Sequence, residues 1–304
     1  LTYNMIKTPL KFISLLSGVV LLASSGFAQT VATDPVGYVT TNLQAGTNLV
    51  TVPLLGEIQY TGLAGTVAGA VVDLSGLPAS VATPSYVHVT SGTAAGETAT
   101  IISSDATSVT LEASIAGLSD GDSIRIVDHF QLSDLTSASS SSLVDGSVVT
   151  IYNSDNTSDS YTTYSNVWYD ASFSPSDDVF VFPGEGVVMN LQGPTSLTFV
   201  GNVNTKSVDV ALTSGAVNVI GSVNPSLPTG ADTIGDALAA SLADGSTLTL
   251  YSEDGALTTG ATYTCYAGVW YDPSFTPTEI SVASPSAVVV SPQSTVAATM
   301  PAAY

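Results

Sequence analysis

One stretch of sequence occurs twice in this chain, and it restricts the possible folds more than any other feature. The first copy covers residues 143–152 and 161–175, and the second covers residues 242–251 and 263–277. Matching residues are 99 positions apart in the first part and 102 apart in the second. Three residues were therefore gained in the loop between the parts. A repeat of this length indicates a duplicated structural unit.

Each copy has the pattern of β-strands. Apolar residues alternate with Thr and Tyr along 148–152, as expected for a strand with one buried face. The Asp-Gly pair before this strand favours a turn. The second part of each copy predicts a hairpin, with Asn166 in the turn of one copy and Gly268 in the turn of the other. Both residue types accept positive φ, so we expect such a position there.

The aromatic residues of the repeat have two interpretations. Trp and Tyr bury a large apolar area and keep a polar tip, so they can fill the core beneath a hydrated rim. Alternatively, they can form a flat platform on which sugars stack. The conserved order of aromatic residues within a strand pattern favours the core. The candidate structural or binding residues are Trp168, Tyr169, Asp170, Trp270, Tyr271 and Asp272.

The whole pattern predicts a mostly β fold. We expect two homologous β-sandwich-like units with a short helix each, the first interrupted by a small inserted β-barrel-like module. The helices are predicted within 130–142 and 234–242, the second capped by Asp232 or Thr233. Five short strands divided by Gly- and Ser-rich turns predict the inserted module, with 66–73 as one strand. The predicted segments are a signal peptide (1–28), the first unit (29–60 with 129–205), the insertion (61–128), the second unit (206–295) and an unanchored tail (296–304).

The first 28 residues have the organisation of a secretory signal peptide. Lys7 and Lys11 precede an apolar run at 12–22, and Gly26 and Ala28 are suitable small residues for cleavage before residue 29. The run is short for a membrane span, although an uncleaved anchor is the alternative. Residues 1–4 precede the first methionine, and we interpret them as upstream translation or a fragment edge. We therefore expect a secreted protein that is extracellular or attached to the cell surface.

The charge of the chain excludes several classes of partner. Only 10% of its residues are charged, and 4 Lys and Arg stand against 25 Asp and Glu, for a formal charge of −21. Without Lys7 and Lys11 only Arg125 and Lys206 remain, and the charge becomes −23. Nucleic acids and anionic membranes need clustered basic residues, so neither is expected as a partner. The single Cys265 cannot form a disulfide within the chain, and we interpret it as a small buried residue.

Several segments, taken in order, resemble a family of secreted β-rich bacterial repeat proteins with no known activity. The resemblance covers most of the chain after the signal peptide, and the Pro-Gly-Glu-Gly turn at 183–186 is its most specific part. The second copy departs from it, because Ser-Pro-Ser-Ala stands at 284–287. The resemblance implies export from a bacterium and a β fold. It implies no reaction and no functional residues. Its segments are 37–38, 48–53, 87–92, 121–126, 168–170 and 183–186.

The sequence contains no recognisable catalytic motif. His88 and His129 are its two histidines, and neither stands in a known catalytic pattern, so we expect no enzyme. No organic cofactor is expected. Calcium is the one candidate ion, because oxygen-bearing side chains stand at alternate positions in some acidic loops. The loop at 153–164 lacks the Gly and Glu of an EF-hand. Solvated turn residues are the alternative interpretation for these weak candidates, which are Asn153, Asp155, Asp159, Asp120, Asp122, Asp177 and Asp178.

Three functions are compatible with these observations. The first is a structural component of an extracellular filament, coat or matrix that self-associates into an oligomer or polymer. Lys residues on edge strands commonly prevent these strands from pairing with another chain, and such residues are nearly absent here. In addition, a head-to-tail contact between repeated units can build an open polymer. The second is an adhesion module that binds polysaccharide through the Trp/Tyr hairpins. The third is a secreted hydrolase, since 25 acidic residues allow many carboxylate pairs.

Overall fold

The computed structural model describes residues 35–77, 81–225, 234–251, 255–256, 259–280, 282, 284 and 286–302. Strands make up 50% of the structure and helices 6%, which confirms the mostly β fold. The predicted signal peptide and the predicted helix cap at 232–233 lie outside the described residues. Within the described residues, no helix is long and apolar enough to cross a bilayer.

The first unit is divided in sequence by a barrel. It begins with β1 (Val36–Leu43) and β2 (Gly46–Thr51). The barrel strands are β3 (Ile58–Ala68), β4 (Val71–Leu74), β5 (Ser85–Val89), β6 (Thr98–Ser104), β7 (Ser108–Leu111) and β8 (Ser123–Asp128). The first unit then continues with β9 (Phe130–Gln131), α1 (Leu132–Ala138), β10 (Val148–Tyr152), β11 (Ser158–Tyr164), β12 (Val167–Tyr169), β13 (Phe180–Val181), β14 (Gly186–Leu191) and β15 (Thr195–Asn202).

The second unit is continuous in sequence. Its elements are β16 (Val208–Leu212), β17 (Asn218–Gly221), α2 (Ile234–Ser241), β18 (Thr247–Tyr251), β19 (Thr259–Tyr266), β20 (Val269–Tyr271), β21 (Ala287–Ser291) and β22 (Val296–Met300). Its five-stranded sheet has the order β17-β21-β18-β19-β20, and the sheet of the first unit has the order β2-β14-β10-β11-β12. Each unit also has an equivalent antiparallel ribbon, β1 with β15 and β16 with β22, and the first unit has a second short ribbon, β9 with β13. The two units therefore share one strand order.

Each unit has its own apolar core. The alternation along β10 places Val149 and Ile151 inward, beside Trp168 and the buried leucines of α1. In the second unit, Ile234 and Leu238 are one helical turn apart on α2 and pack with Leu248 and Trp270. The cores confirm the predicted alternation and the predicted helices. The first helix is shorter than predicted, because Phe130 and Gln131 form β9, which pairs with β13.

The inserted module is a closed barrel with the strand order β3-β4-β7-β6-β5-β8. The predicted barrel is confirmed, but it has six strands and begins at Ile58 rather than at residue 61. The expectation of one strand over 66–73 is wrong, because Gly69 and Ala70 form a turn between β3 and β4. Gly69 has φ +66°, a conformation that glycine adopts without steric cost.

The prediction that residues 296–304 form an unanchored tail is also wrong. Residues 296–300 form β22, which pairs with β16 along its whole length and buries Ala298 and Met300. The expectation was wrong because the strand is short and rich in Ala and Thr, so its alternation is weak. It completes the ribbon that covers the core of the second unit.

The two units meet through matching strands of their sheets. Val50 of β2 bridges Ser286, and Ile220 of β17 bridges Glu185. Val50 and Ile220 occupy the same place in their units, as do Glu185 and Ser286, because each pair is defined by the same sheet register. The contact is therefore reciprocal, as in a two-fold symmetric interface.

Small residues allow this close approach. A Cβ added to Gly221 would lie 2.4 Å from the Cβ of Thr51, its counterpart in the first unit. A Cβ added to Gly186 would lie 2.7 Å from the Cβ of Ala287, its counterpart in the second unit. Equivalent positions thus face each other across the interface. Larger side chains there would push the two units apart.

A buried cluster of polar side chains, formed by Arg125, His88 and Asn204, joins the barrel to the segment that leads into the second unit. Arg125 donates from Nε to His88 Nδ1 at 3.1 Å and from a guanidinium NH₂ group to Asn204 Oδ1 at 2.5 Å. His88 Nε2 lies 2.7 Å from the carbonyl oxygen of Ser207. Since Nδ1 accepts from Arg125, Nε2 carries the proton and donates. Burial, together with the charge of Arg125, lowers the pKa of His88 to about 4, so the ring stays neutral.

Candidate functional site

The two tryptophans are core residues. Trp168 is fully buried, and its Nε1 donates to the carbonyl oxygen of Leu132 at 2.8 Å. Trp270 is 2% exposed, and its Nε1 donates to the carbonyl oxygen of Gly235 at 2.7 Å. Each ring thus ties its hairpin to the helix of its own unit. The core interpretation is confirmed, and the idea that the Trp rings form a sugar platform is wrong.

The residue opposite each Trp is small and buried. Thr163 faces Trp168 across the hairpin, and Cys265 faces Trp270 in the same register. Cys265 is fully buried, as predicted, and its burial raises the pKa of the thiol. Thr163 and Cys265 therefore belong to the buried side of the hairpins and not to their exposed surface.

The hairpin turn is also alike in the two units. Ser165 and Asn166 both have positive φ, and so do Ala267 and Gly268, which confirms the expected left-handed conformation. Two successive positive φ angles define the type I′ turn that suits a tight hairpin. In the first unit the Oδ1 of Asp145 accepts from the backbone N–H of Ser165 at 2.8 Å. The Oδ1 of Asp244 accepts from Ala267 at 2.7 Å.

A short loop after each Trp-Tyr pair is organised by an aspartate. Asp170 Oδ1 accepts from the backbone N–H groups of Ser172 and Ser174, both at 2.8 Å. Asp272 Oδ1 accepts from Ser274 at 2.8 Å and from Thr276 at 2.9 Å. The two candidate aspartates therefore hold the loops in shape by capping backbone donors.

Each of these loops presents a phenylalanine to solvent. Phe173 has φ +63° and Phe275 has φ +61°, and each is 65% exposed. Positive φ is unusual for a bulky side chain and costs about 1–3 kcal/mol. An exposed ring gains little from burial, so core packing does not explain the choice of Phe at a strained position. Strain of this kind is a common feature of functional loops.

The two phenylalanines belong to clusters of nearly identical geometry. We call Tyr164, Tyr169 and Phe173 the first aromatic cluster, and we call the set Tyr266, Tyr271 and Phe275 the second aromatic cluster. The Tyr169 and Phe173 rings are stacked with centroids 4.9 Å apart at 23°, and the matching rings of the second cluster are 4.9 Å apart at 24°. The remaining centroid distances are 5.4 and 6.3 Å in the first cluster and 5.5 and 6.1 Å in the second.

The clusters offer one kind of chemistry. Each combines an exposed ring with two partly exposed tyrosines, so a flat apolar surface lies beside phenolic hydroxyls. Such a surface binds ligands that have both apolar faces and hydroxyl groups. Tyr169 and Tyr271 were predicted as candidates, whereas Phe173 and Phe275 were missed, although both stand in the repeated Asp-x-Ser-Phe segment. Nothing in the sequence marks a Phe for positive φ.

The weak metal candidates lie in capped turns. Asp155 Oδ1 accepts from the N–H of Thr157, and Asn153 Nδ2 donates to Asp159 Oδ2 at 2.9 Å. The remaining candidates also accept hydrogen bonds, and only that of Asp122 is local: Asp120 accepts from Val67, Asp122 from Ser119, Asp177 from Trp168, and the carbonyl oxygen of Asp178 from Gln131. Among the described residues, no three His, Cys, Asp or Glu side chains are grouped as metal ligands. Calcium binding stays a prediction.

A cleft of about 450 Å³ lies where the barrel meets the first unit. Its polar lining includes Glu57, Asp128, Asp134 and His129, and its apolar lining includes Phe199. Asp134 Oδ2 accepts from the N–H of Gln131 at 2.7 Å. Burial and the charge of Asp128 raise the pKa of Asp134. No pattern in the sequence indicates this cleft, because its residues come from distant parts of the chain.

His129 is buried between aromatic rings at this cleft. It is 4% exposed and stacks on Phe180 with ring centroids 4.1 Å apart. Burial lowers the pKa of His129 to about 4, so its ring is neutral. Its Nε2 lies 3.4 Å from Thr100 Oγ1, and its buried Nδ1 has no hydrogen-bond partner among the residues that the structure describes.

No protein-family model, curated protein or solved structure matches this chain. The resemblance described from the sequence therefore stays a prediction. The geometry of the aromatic clusters and of the cleft is the basis of the functional argument.

Proposed function

We propose that this chain is an exported, non-enzymatic surface protein that binds polysaccharide through its two aromatic clusters. The single observation that supports this function is the pair of exposed clusters with matching ring geometry. Both copies of the repeated Asp-x-Ser-Phe loop hold a Phe at positive φ and expose 65% of it. A shared functional demand explains this strained arrangement better than packing does.

Carbohydrate is the ligand class that fits these surfaces. The flat C–H face of a pyranose ring stacks on an aromatic ring, while its hydroxyls can bond the tyrosine hydroxyls beside it. The chain is acidic and nearly free of Lys and Arg, so recognition by stacking and neutral hydrogen bonds suits its composition. Two sites on one chain also raise the apparent affinity for a polymer that engages both, since the second contact becomes intramolecular.

Binding to insoluble polysaccharides tests this function. We expect the wild-type chain to sediment with at least one of cellulose, chitin or starch granules. Phe173→Asn and Phe275→Asn should each weaken the interaction, and the double variant should lose it. Asn is chosen because it tolerates positive φ and so preserves the loop.

Tyr38→Asn provides the matched control. Tyr38 is 75% exposed on β1 and lies outside both clusters, so its replacement should leave binding unchanged. Equal sedimentation of the wild-type and double-variant proteins would reject the clusters as the binding surface. A loss of binding in the Tyr38 variant would instead indicate a general effect of exposed aromatic area.

Export and duplication are part of the same proposal. Export rests on the signal-peptide pattern of residues 1–28. Sequencing the N-terminus of secreted protein should give Gln29 or a close neighbour, and recovery of an intact leader would contradict it. Duplication of one ancestral unit is supported by the repeated sequence together with the shared strand order.

Self-assembly is the second candidate function, and a different surface favours it. The ribbon of β1 and β15 exposes Val36, Tyr38 and Val200, and Tyr38 lies directly opposite Val200. The strand β1 contains no charged residue, so no charge on this strand opposes pairing of its edge with a strand of another chain. Light scattering across a calcium titration, with a chelator as control, tests assembly; a monomer throughout would reject it.

The contact between the units does not supply a template for such a polymer. A head-to-tail contact leaves one surface free at each end, whereas the reciprocal contact uses the same surface of both units. The interface within the chain is therefore already closed. Assembly would have to use other surfaces, of which the β1 edge is the best candidate.

A further inference from the structure

We propose that one molecule of this protein cross-links two separate polysaccharide chains, one held at the first aromatic cluster and one at the second. This inference rests on the proposed binding of polysaccharide at those clusters, and it adds that the two sites do not share one straight polysaccharide chain. Two features of the fold support it: the distance of each cluster from the interface between the units, and the reciprocal symmetry of that interface.

The interface between the two units lies at one side of each sheet. It is formed by β2 and β14 of the first sheet with β17 and β21 of the second. A Cβ added to Gly186 would lie 2.7 Å from the Cβ of Ala287. The first residues of β14 and β21 therefore mark the centre of the contact.

The first aromatic cluster lies far from this centre. Tyr164 and Tyr169 are the last residues of β11 and β12, and β12 is the outer strand in the order β14-β10-β11-β12. The sheet register places Tyr169 at the level of Asn190, four residues along β14 from Gly186. Three strand spacings of about 4.8 Å and four residues of about 3.3 Å place Tyr169 about 20 Å from Gly186.

The second aromatic cluster has the same position in its own unit. Tyr266 and Tyr271 are the last residues of β19 and β20, and β20 is the outer strand in the order β21-β18-β19-β20. The register places Tyr271 at the level of Ser291, four residues along β21 from Ala287. Among the described residues, no ring of one cluster contacts a ring of the other. The clusters are therefore two sites, each built from one unit.

The reciprocal contact between the units determines how the two sites are oriented. Val50 bridges Ser286, and the equivalent residue Ile220 bridges Glu185, so an approximate two-fold rotation relates the units. The line that joins two equivalent points is perpendicular to a two-fold axis, and the rotation reverses that line. A straight polysaccharide chain that ran from one cluster to the other would therefore meet the two sites in opposite directions.

The direction matters because a polysaccharide chain has two different ends. Turning the chain end to end changes where its hydroxyl groups lie on a stacked ring, so two equivalent sites favour the same direction relative to their own residues. One straight chain can satisfy only one of the sites, whereas two chains can satisfy both. In a granule, neighbouring chains can fill both sites, which keeps the gain in apparent affinity from two linked contacts.

Dynamic light scattering of soluble polysaccharides tests the proposal, because cross-linking enlarges the scattering particles and binding at one site does not. The probes are the neutral polymers hydroxyethyl cellulose, glycol chitin and amylose, which correspond to cellulose, chitin and starch granules. With the polymer that corresponds to the granules bound in sedimentation, we expect the particle size to rise as protein is added. It should then fall in excess protein, because each polysaccharide site becomes occupied by a separate protein molecule.

Variants with one working cluster provide the matched comparison. Phe173→Asn and Phe275→Asn each keep one site, so each should still sediment with the granules but should not enlarge the soluble particles, alone or mixed together. Tyr38→Asn should enlarge them as the wild-type protein does. Enlargement by either single variant, or its loss in Tyr38→Asn, would show that contacts between protein molecules join the polysaccharides, and would overturn the proposal.

Failure of cross-linking and failure of polysaccharide binding give different results. If the wild-type protein sediments with the granules but does not enlarge the soluble particles, cross-linking is rejected and polysaccharide binding stands. If the wild-type protein sediments with none of the granules, polysaccharide binding is rejected and cross-linking is rejected with it.

Discussion

Replacing Phe173 with Asn or with Ala separates the cost of the strained backbone from the contribution of the ring. The ring is 65% exposed and stacks on Tyr169 with centroids 4.9 Å apart. That aromatic contact contributes about 0.5–1.5 kcal/mol, which both replacements lose. The positive φ of Phe173 costs about 1–3 kcal/mol, of which Asn recovers much more than Ala does.

The two variants should therefore differ in stability. We expect Phe173→Ala to lower the free energy of unfolding by about 0.5–1.5 kcal/mol, because it loses the stacking and keeps most of the strain. Phe173→Asn should lie about 1 kcal/mol above the Ala variant and within about 1 kcal/mol of wild type. The same order should hold for Phe275, since its φ, exposure and stacking distance match.

Urea denaturation followed by circular dichroism measures these differences, with unchanged m-values as the check on two-state behaviour. The Tyr38→Asn variant serves as the exposed control. A loss of more than about 2 kcal/mol in Phe173→Asn would show that the ring is a packing residue of the core, as large buried truncations behave. An Ala variant as stable as the Asn variant would show that the positive φ carries no strain. Either result would refute the argument that the ring is held out for binding.

Three further predictions follow from buried groups. Trp168→Ala and Trp270→Ala should each destabilise by about 3–5 kcal/mol in urea titrations, because both rings are buried and hydrogen-bonded to a helix carbonyl; a near-neutral result would contradict the core role. Gly221→Val should destabilise by more than about 2 kcal/mol through overpacking against Thr51, while Gly215→Val, which has no atom of the described residues within 4 Å of its Cβ position, should show only the smaller backbone cost of its positive φ. Burial lowers the pKa of His88 and of His129 from 6.5 to about 4, so the unfolded chain takes up these protons first and stability should fall as the pH decreases from 6.5 to about 4. At pH 5 the loss should approach about 2 kcal/mol for each histidine, opposed in part by buried carboxyl groups, and His129→Phe should reduce the slope; a pH-independent stability over this window would contradict it.

The sequence predicts the strands well where one face is buried. The alternation along β10 and β18 has a period of two, and both strands lie where the pattern places them. The turn at Asn166 and Gly268 was predictable because both residue types accept positive φ. The end of the chain was not, because the weak alternation of β22 becomes meaningful only when β16 pairs with it.

The candidate sites were predictable only in part. The repeat identified the Trp hairpins, but whether a Trp or a neighbouring Phe faces solvent depends on the loop that Asp170 caps. The strained Phe173 has no local signature, since Phe does not favour its conformation. The cleft could not be inferred, because Glu57, Asp134 and Phe199 are brought together by the tertiary fold.

The buried Arg125 group has a consequence for digestion by proteases. Trypsin-like proteases cut after Arg and Lys, and the described residues contain only Arg125 and Lys206. Arg125 is 3% exposed, and the backbone around Lys206 is held by bonds from its own N–H to Asn204 and from His88 to the carbonyl of Ser207. Cleavage needs a mobile segment that can enter the protease, whereas Arg125 is buried and the backbone beside the exposed Lys206 is held by these bonds. Within the described residues, cutting by such proteases should therefore require unfolding first.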